Sequence, residues 1–205
     1  CSDVLLDALK RLEYRGYDSS GIVPIHDSAI ALQRAVGKLV NLDLALKETP
    51  LLGDIGVGHT RWATHGGVST ENAHPHLASG RVAIVHNGII ENHRTIRARL
   101  ESAGHQFSSD TDSEVLAHVF VEAFDAGLDP ATATRQVLDE IDGAYAFAVM
   151  AIDHPDLLIV ARNASPLALG IGDNACYIGS DAIALSHLTR KVVYLKDHDY
   201  ALVRA

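Results

Sequence analysis

The 205-residue chain is 47% hydrophobic and 21% charged, a composition that excludes disorder and, at this length, lets about 70% of the unfolded surface be buried in one large domain. A formal net charge of −9 excludes the clustered Lys and Arg that sequence-independent contact with nucleic acid or an anionic membrane requires. Two cysteines, Cys1 and Cys176, are too few for a disulfide framework and fit a reducing compartment. With no apolar run of about 18 residues and no basic-then-apolar leader, the expected location is the cytoplasm.

Ser2 is placed to cap a first helix whose stripe is Val4, Leu5, Ala8, Leu9 and Leu12, with Asp3 favourable to its dipole. Two apolar runs, Gly21 to Ile25 and Ile30 to Arg34, flank His26-Asp27-Ser28 and predict a hairpin. A helix follows over 37–47. Ile55 to His59 and Val82 to His86 read as buried strands, leading into the polar segments Thr60 to His76 and Asn87 to Asn92. Helical patterns come next at 93–103, 113–126 and 131–141, the last started by Asp129-Pro130. Beyond Ala144 short β-rich runs (145–152, 157–161, 177–179, 192–195, 200–203) alternate with turn residues and predict a meander. No repeat or linker divides the chain, so one α+β domain is expected, with sheets and helices in separate layers.

The densest chemistry lies in His59-Thr60-Arg61-Trp62-Ala63-Thr64-His65-Gly66. A guanidinium there can hold a carboxylate by two parallel hydrogen bonds, with Thr64 and His65 completing a cradle for a small zwitterion. The plainer alternative is a structural Arg61 paired with an internal acid and a core Trp62. Asn72-Ala73-His74-Pro75-His76, with His59, His65 and His86, invites a metal reading. The tight ligand motifs of zinc sites are missing, however, so the histidines are read as loop braces and no metal or cofactor is assigned. Asn87-Gly88 is by itself a turn signal, yet an Asn carboxamide beside a Gly N–H also suits a tetrahedral oxyanion. Ser109 to Glu114 is in part an ordinary helix start. Its Asp112 is the carboxylate selected to meet a substrate ammonium. Cys176, in a β-run, is expected to be a buried, inert thiol.

Together, Arg11 to Ser19, His59 to Gly66, Asn72 to His76, His86 to Asn92 and Thr111 to Glu114 resemble, in order and spacing, the glutaminase domains of the glutamine:fructose-6-phosphate aminotransferase family. The resemblance runs from about Val4 to the C-terminus. It implies an N-terminal-nucleophile αββα sandwich that hydrolyses L-glutamine to glutamate and ammonia. Arg61 would hold the α-carboxylate and Asp112 the α-ammonium; Trp62, Thr64 and His65 would shape the pocket; Asn87 and Gly88 would form the oxyanion hole. In the family, ammonia passes to sugar-isomerase domains, absent from this chain, that make glucosamine 6-phosphate, and a homodimer is compatible with it.

The family's nucleophile is an N-terminal cysteine that opens the first strand, with its own α-amine as base; an amine of pKa near ~8 suits neutral pH. Cys1 is the candidate by type and terminal position. Alignment on Tyr14-Arg15-Gly16 nevertheless puts it about ten residues late, the length of a strand spanning ~33 Å. Three accounts follow: Cys1 is exposed by truncation, the strand is deleted with its cysteine kept, or the nucleophile works from a helix N-terminus, where thiolates are favoured. An inactive glutamine-binding module is the alternative function. A chain lacking this strand is expected to be destabilised, with open sheet edges.

Overall fold

The computed structural model describes residues 1–63 and 65–204, the side chain of Arg15 excepted. The chain opens with α1, Ser2–Leu12, whose N-cap position is Cys1. Ser2 does not cap it, because its hydroxyl donates instead to the Leu51 carbonyl at 2.8 Å. A short 3₁₀ turn, Glu13–Arg15, leads into β1, Ser19–His26. The hairpin forms at the expected place, with Asp27 and Ser28 both at positive φ. It returns through β2, Ala29–Ile30, and β3, Gln33–Val36. After α2, Leu39–Glu48, comes β4, Ile55–Arg61. β1 is central in this first sheet, paired antiparallel to β2 and β3 on one side and to β4 on the other.

The second sheet contains β5, His76–Ala78, and β6, Val82–Ile90. Three helices then cross over: α3, His93–Ser102; α4, Glu114–Asp125; and α5, Pro130–Glu140. Asp129 caps α5 as expected, accepting from the N–H groups of Ala131 and Thr132. The chain re-enters as β7, Gly143–Ala151, and β8, His154–Asn163. A smaller sheet follows, formed by β9, Ala168–Ile171, β10, Cys176–Gly179, and β11, Lys191–Tyr194, with α6, Ala182–Leu185, between the last two. The final strand β12, Tyr200–Arg204, completes the order β12-β8-β7-β6-β5.

Side-chain alternation explains the layering. Along β7, Tyr145, Phe147 and Val149 face α3, α4 and α5 in one core, whereas Ala146, Ala148 and Met150 meet Val23, Ile25 and Val57 of the first sheet in a second. A third core joins that sheet to α1 and α2 through Leu6, Leu9, Ile22, Leu39 and Leu42. The sequence of layers is therefore helix, sheet, sheet, helix, the expected αββα sandwich. With both faces of the second sheet covered, β6 to β8 read as nearly continuous apolar runs rather than an alternation.

Two differences from the sequence reading bear on function. Both polar segments thought to follow strands begin inside them, so Arg61, Asn87 and Gly88 are strand residues held by sheet pairing. Among the described residues β4 pairs only with β1, which leaves its other edge open. The whole predicted stripe of α1, from Val4 to Leu12, lines a cavity beside that edge.

Candidate functional site

The two sheets face each other where β4 ends and β6 nears its end. His59 of β4 and Asn87 of β6 meet across the gap, with imidazole Nε2 2.9 Å from Asn87 Oδ1. Gly88 follows with φ +135°, and both Asn87 and Gly88 line a cavity of about 790 Å³ along the open edge of β4. Arg61, Trp62, His65 and Asp112 line the same cavity, which falls within the size range of small-molecule pockets. Thr64 lies outside the described residues.

Arg61 is 4% exposed, and its terminal nitrogens donate to the carbonyls of His65, Gly66 and Gly67 at 2.5, 3.3 and 3.2 Å. Its guanidinium also lies 3.7 Å from Asp18. Asp18 in turn accepts from the Ala63 N–H and from the Ser19 hydroxyl. The alternative of a structural arginine is thus realised in part: Arg61 folds the loop that follows it. The companion idea of a core Trp62 is not, since Trp62 is 62% exposed and packs edge-on against Tyr17.

Asp112 is buried. Its Oδ2 accepts from the Ile90 N–H at 2.8 Å, while Oδ1 lies 3.9 Å from His65 Nδ1 and accepts only a long 3.4 Å bond from Ser113. One carboxylate oxygen is therefore fixed and the other turned toward the His65 side of the site. Asn72 ties the two loops together: its Nδ2 donates to the Gly67 carbonyl at 3.0 Å and its Oδ1 accepts from the Asp110 N–H at 2.9 Å. Sequence reasoning passed over Asn72 and Asp18 although both fall in motifs it had singled out, because a side chain bonded to a distant backbone group leaves no local pattern.

The central histidines brace the cleft. His74 Nδ1 accepts from the His86 N–H at 3.3 Å, His76 Nε2 bonds Thr111 Oγ1 at 2.9 Å, and His86 Nδ1 bonds Ser113 Oγ at 2.7 Å. His59 and His74 stack with centroids 4.4 Å apart. Burial disfavours their charged forms: His59 and His86 are pushed down to about 4, His76 to about 3, and His74 well below the usual range. The cleft wall is therefore a set of neutral imidazoles, and among the described residues no group of three or more His, Cys, Asp or Glu is gathered as metal ligands.

Cys1 also lines this cavity, but away from the group just described. Its Sγ sits 3.0 Å from where a Cβ on Gly56 would stand, beside Leu5, and its amine donates to the Gly53 carbonyl. Gly56 and Gly58 face α1, whereas His59 faces the second sheet. The thiol consequently lies on the opposite face of β4 from Asn87 and five residues before Arg61, about 16 Å along the strand. Cys176, expected to be buried, is exposed, because β10 is an edge strand of the small sheet.

Among solved structures, glutamine phosphoribosylpyrophosphate amidotransferase from B. subtilis superposes with a TM-score of 0.81 at 24% identity, over 98% of this chain and 44% of that one. A glutamine aminotransferase class-II domain protein from Silicibacter pomeroyi matches with a TM-score of 0.62 at 16% identity, over 92% and 88%. The fold is that of the N-terminal-nucleophile amidotransferases. The family described as glutamine amidotransferase domain matches residues 59–187, which include Arg61, Asn87, Gly88 and Asp112. The chain belongs to that family. Curated relatives named glutamine--fructose-6-phosphate aminotransferase [isomerizing] from Mesorhizobium japonicum and Zymomonas mobilis are 53% and 52% identical over 98% of the chain. The chain spans about a third of their length.

Proposed function

We propose that this chain is the glutamine-hydrolysing domain of an enzyme that aminates fructose 6-phosphate to glucosamine 6-phosphate, and that it acts in the cytoplasm with sugar-isomerase domains as its partners. The observation that carries this reading is the convergence of Arg61, Asp112, Asn87 and Gly88 on one cavity. Asp112 Oδ1 meets the α-ammonium of glutamine. The loop clamped by Arg61 shapes the carboxylate end, where Arg61 exchanges a backbone carbonyl for the substrate. Asn87 and Gly88 face the carboxamide.

In the reaction an amine base takes the proton of the thiol, and the resulting thiolate adds to the amide carbon. The oxygen gains the negative charge and takes hydrogen bonds from Asn87 and Gly88. The C–N bond then breaks, ammonia leaves with that proton, and water cleaves the thioester to glutamate. The thiol is delivered by a strand on the open edge of β4. Laid antiparallel, such a strand starts at the Arg61 end and finishes near Gly56, beside Cys1. Support comes from the unpaired edge, the apolar stripe of α1 facing the cavity, and the position of Cys1 on the far face.

The test adds to the chain a peptide that begins with cysteine and continues as an apolar strand, then supplies a chloromethyl ketone analogue of glutamine. The expected result is alkylation of the peptide cysteine, blocked by glutamine and unaffected by Cys1→Ser. Alkylation of Cys1 without peptide would instead make Cys1 the nucleophile. No labelling of either thiol, with glutamine still bound in calorimetry, would leave a binding module.

A further inference from the structure

We propose that His59 is the positioning residue for Asn87: its Nε2–H donates to Asn87 Oδ1 and turns the carboxamide nitrogen toward the cavity as the oxyanion donor. This rests on the glutamine-hydrolysing reading above and adds to it what sets the polarity of the oxyanion hole.

A carboxamide is a donor at one end and an acceptor at the other. Turned one way, Asn87 offers N–H groups to a developing oxyanion; turned the other way, it offers a lone pair that repels it. The two ends have nearly the same shape, so packing does not choose between them. The partner 2.9 Å from Oδ1 does.

His59 is 9% exposed and carries a single proton, since burial holds the ring neutral at ordinary pH. That proton has two places to go. At Nε2 it meets Asn87 Oδ1; at Nδ1 it would be buried without a hydrogen-bond partner. The His86 backbone, close enough to favour the protonated ring, makes no hydrogen bond to Nδ1. A buried N–H without an acceptor is costly, so the Nε2–H form prevails. Asn87 Oδ1 then faces the imidazole, and among the described residues no acceptor holds Nδ2. The stacked His74 ring, itself fixed by the His86 N–H, keeps His59 from rotating away.

Side-chain ¹⁵N NMR of the unmodified chain reads the tautomer directly. A protonated Nε2 and a bare Nδ1 at His59 are expected; an Nδ1–H tautomer would overturn the proposal whatever the activity. Kinetics in a preparation that hydrolyses glutamine give the second arm. His59→Leu is expected to lower kcat about 10²-fold with KM little changed, as loss of one oxyanion donor does. His59→Gln, which retains an amide donor, recovers most of that loss. The double variant with Asn87→Ala is no worse than Asn87→Ala alone. Equal damage from His59→Leu and His59→Gln, or additive losses in the double variant, would overturn it. If Asn87→Ala itself leaves kcat unchanged, the oxyanion assignment fails, and the NMR result still decides the tautomer.

Discussion

Gly88 occupies φ +135°, and a Cβ built there would lie 1.9 Å from the Ala144 carbonyl oxygen in the paired strand. Gly88→Ala is therefore expected to cost ~3 kcal/mol or more, through backbone strain and a displaced β6–β7 ladder. A fall in the urea midpoint measures it, and an unchanged midpoint refutes the strain argument. The identity of this residue is thus fixed by strand approach before any catalytic demand, and its Asn-Gly signature, read alone as a turn, lies within β6. Arg61 teaches the same lesson from the other side. Its type suggested carboxylate binding, whereas its present bonds hold the loop it belongs to. A residue's chemistry was legible in the sequence; its partner in space was not.

Among the elements, α4 is buried on nearly every side, with Val115, Leu116, Val119 and Phe120 inaccessible to solvent. Its first turn carries the buried Glu114, which accepts from the backbone and hydroxyl groups of Ser108 and Ser109. Burial opposes ionisation of Glu114, yet the His118 ring, 3.8 Å away, and hydrogen bonds from the two serines hold its carboxyl down at about 2. Phe120 packs against Phe124 and Phe147, so Phe120→Ala is expected to destabilise the chain by about 3–5 kcal/mol. Thermal melting checks this, and a loss under 1 kcal/mol would mean that the core around α4 collapses to refill the space. The long helices and central strands were found from periodicity to within a few residues. The three-residue β5, the four-residue β9 and α6 were missed, because so short a run carries no period and is fixed by its neighbours.

At the scale of the molecule, the four buried imidazoles of the cleft link stability to pH. Each is held below the unfolded value near ~6.5, so the unfolded chain binds more protons as pH falls. Their contribution is intact above about 6.5 and is lost progressively toward the folded values of about 4 for His59 and His86 and about 3 for His76. The melting temperature is accordingly expected to drop steeply between pH 7 and 5, well before the carboxylates titrate. A flat profile across that interval would show that the histidines are not neutral in the fold. The open β4 edge belongs to the same scale: a strand that binds there raises the melting temperature with its concentration, as any ligand of the folded state does.

The layered α+β class, the hairpin, the long helices and the clustering of polar motifs were legible in the sequence, because these follow from local periodicity, turn chemistry and runs of functional residue types. Packing between distant segments set the rest: Arg61 clamps its own loop, His59 reaches Asn87 from the opposite sheet, and Cys1 lies on the far face of β4 beside an edge that is unpaired among the described residues. Those outcomes depend on which faces two sheets turn toward each other, and that choice is made by burial across residues far apart in the chain, which no local pattern encodes.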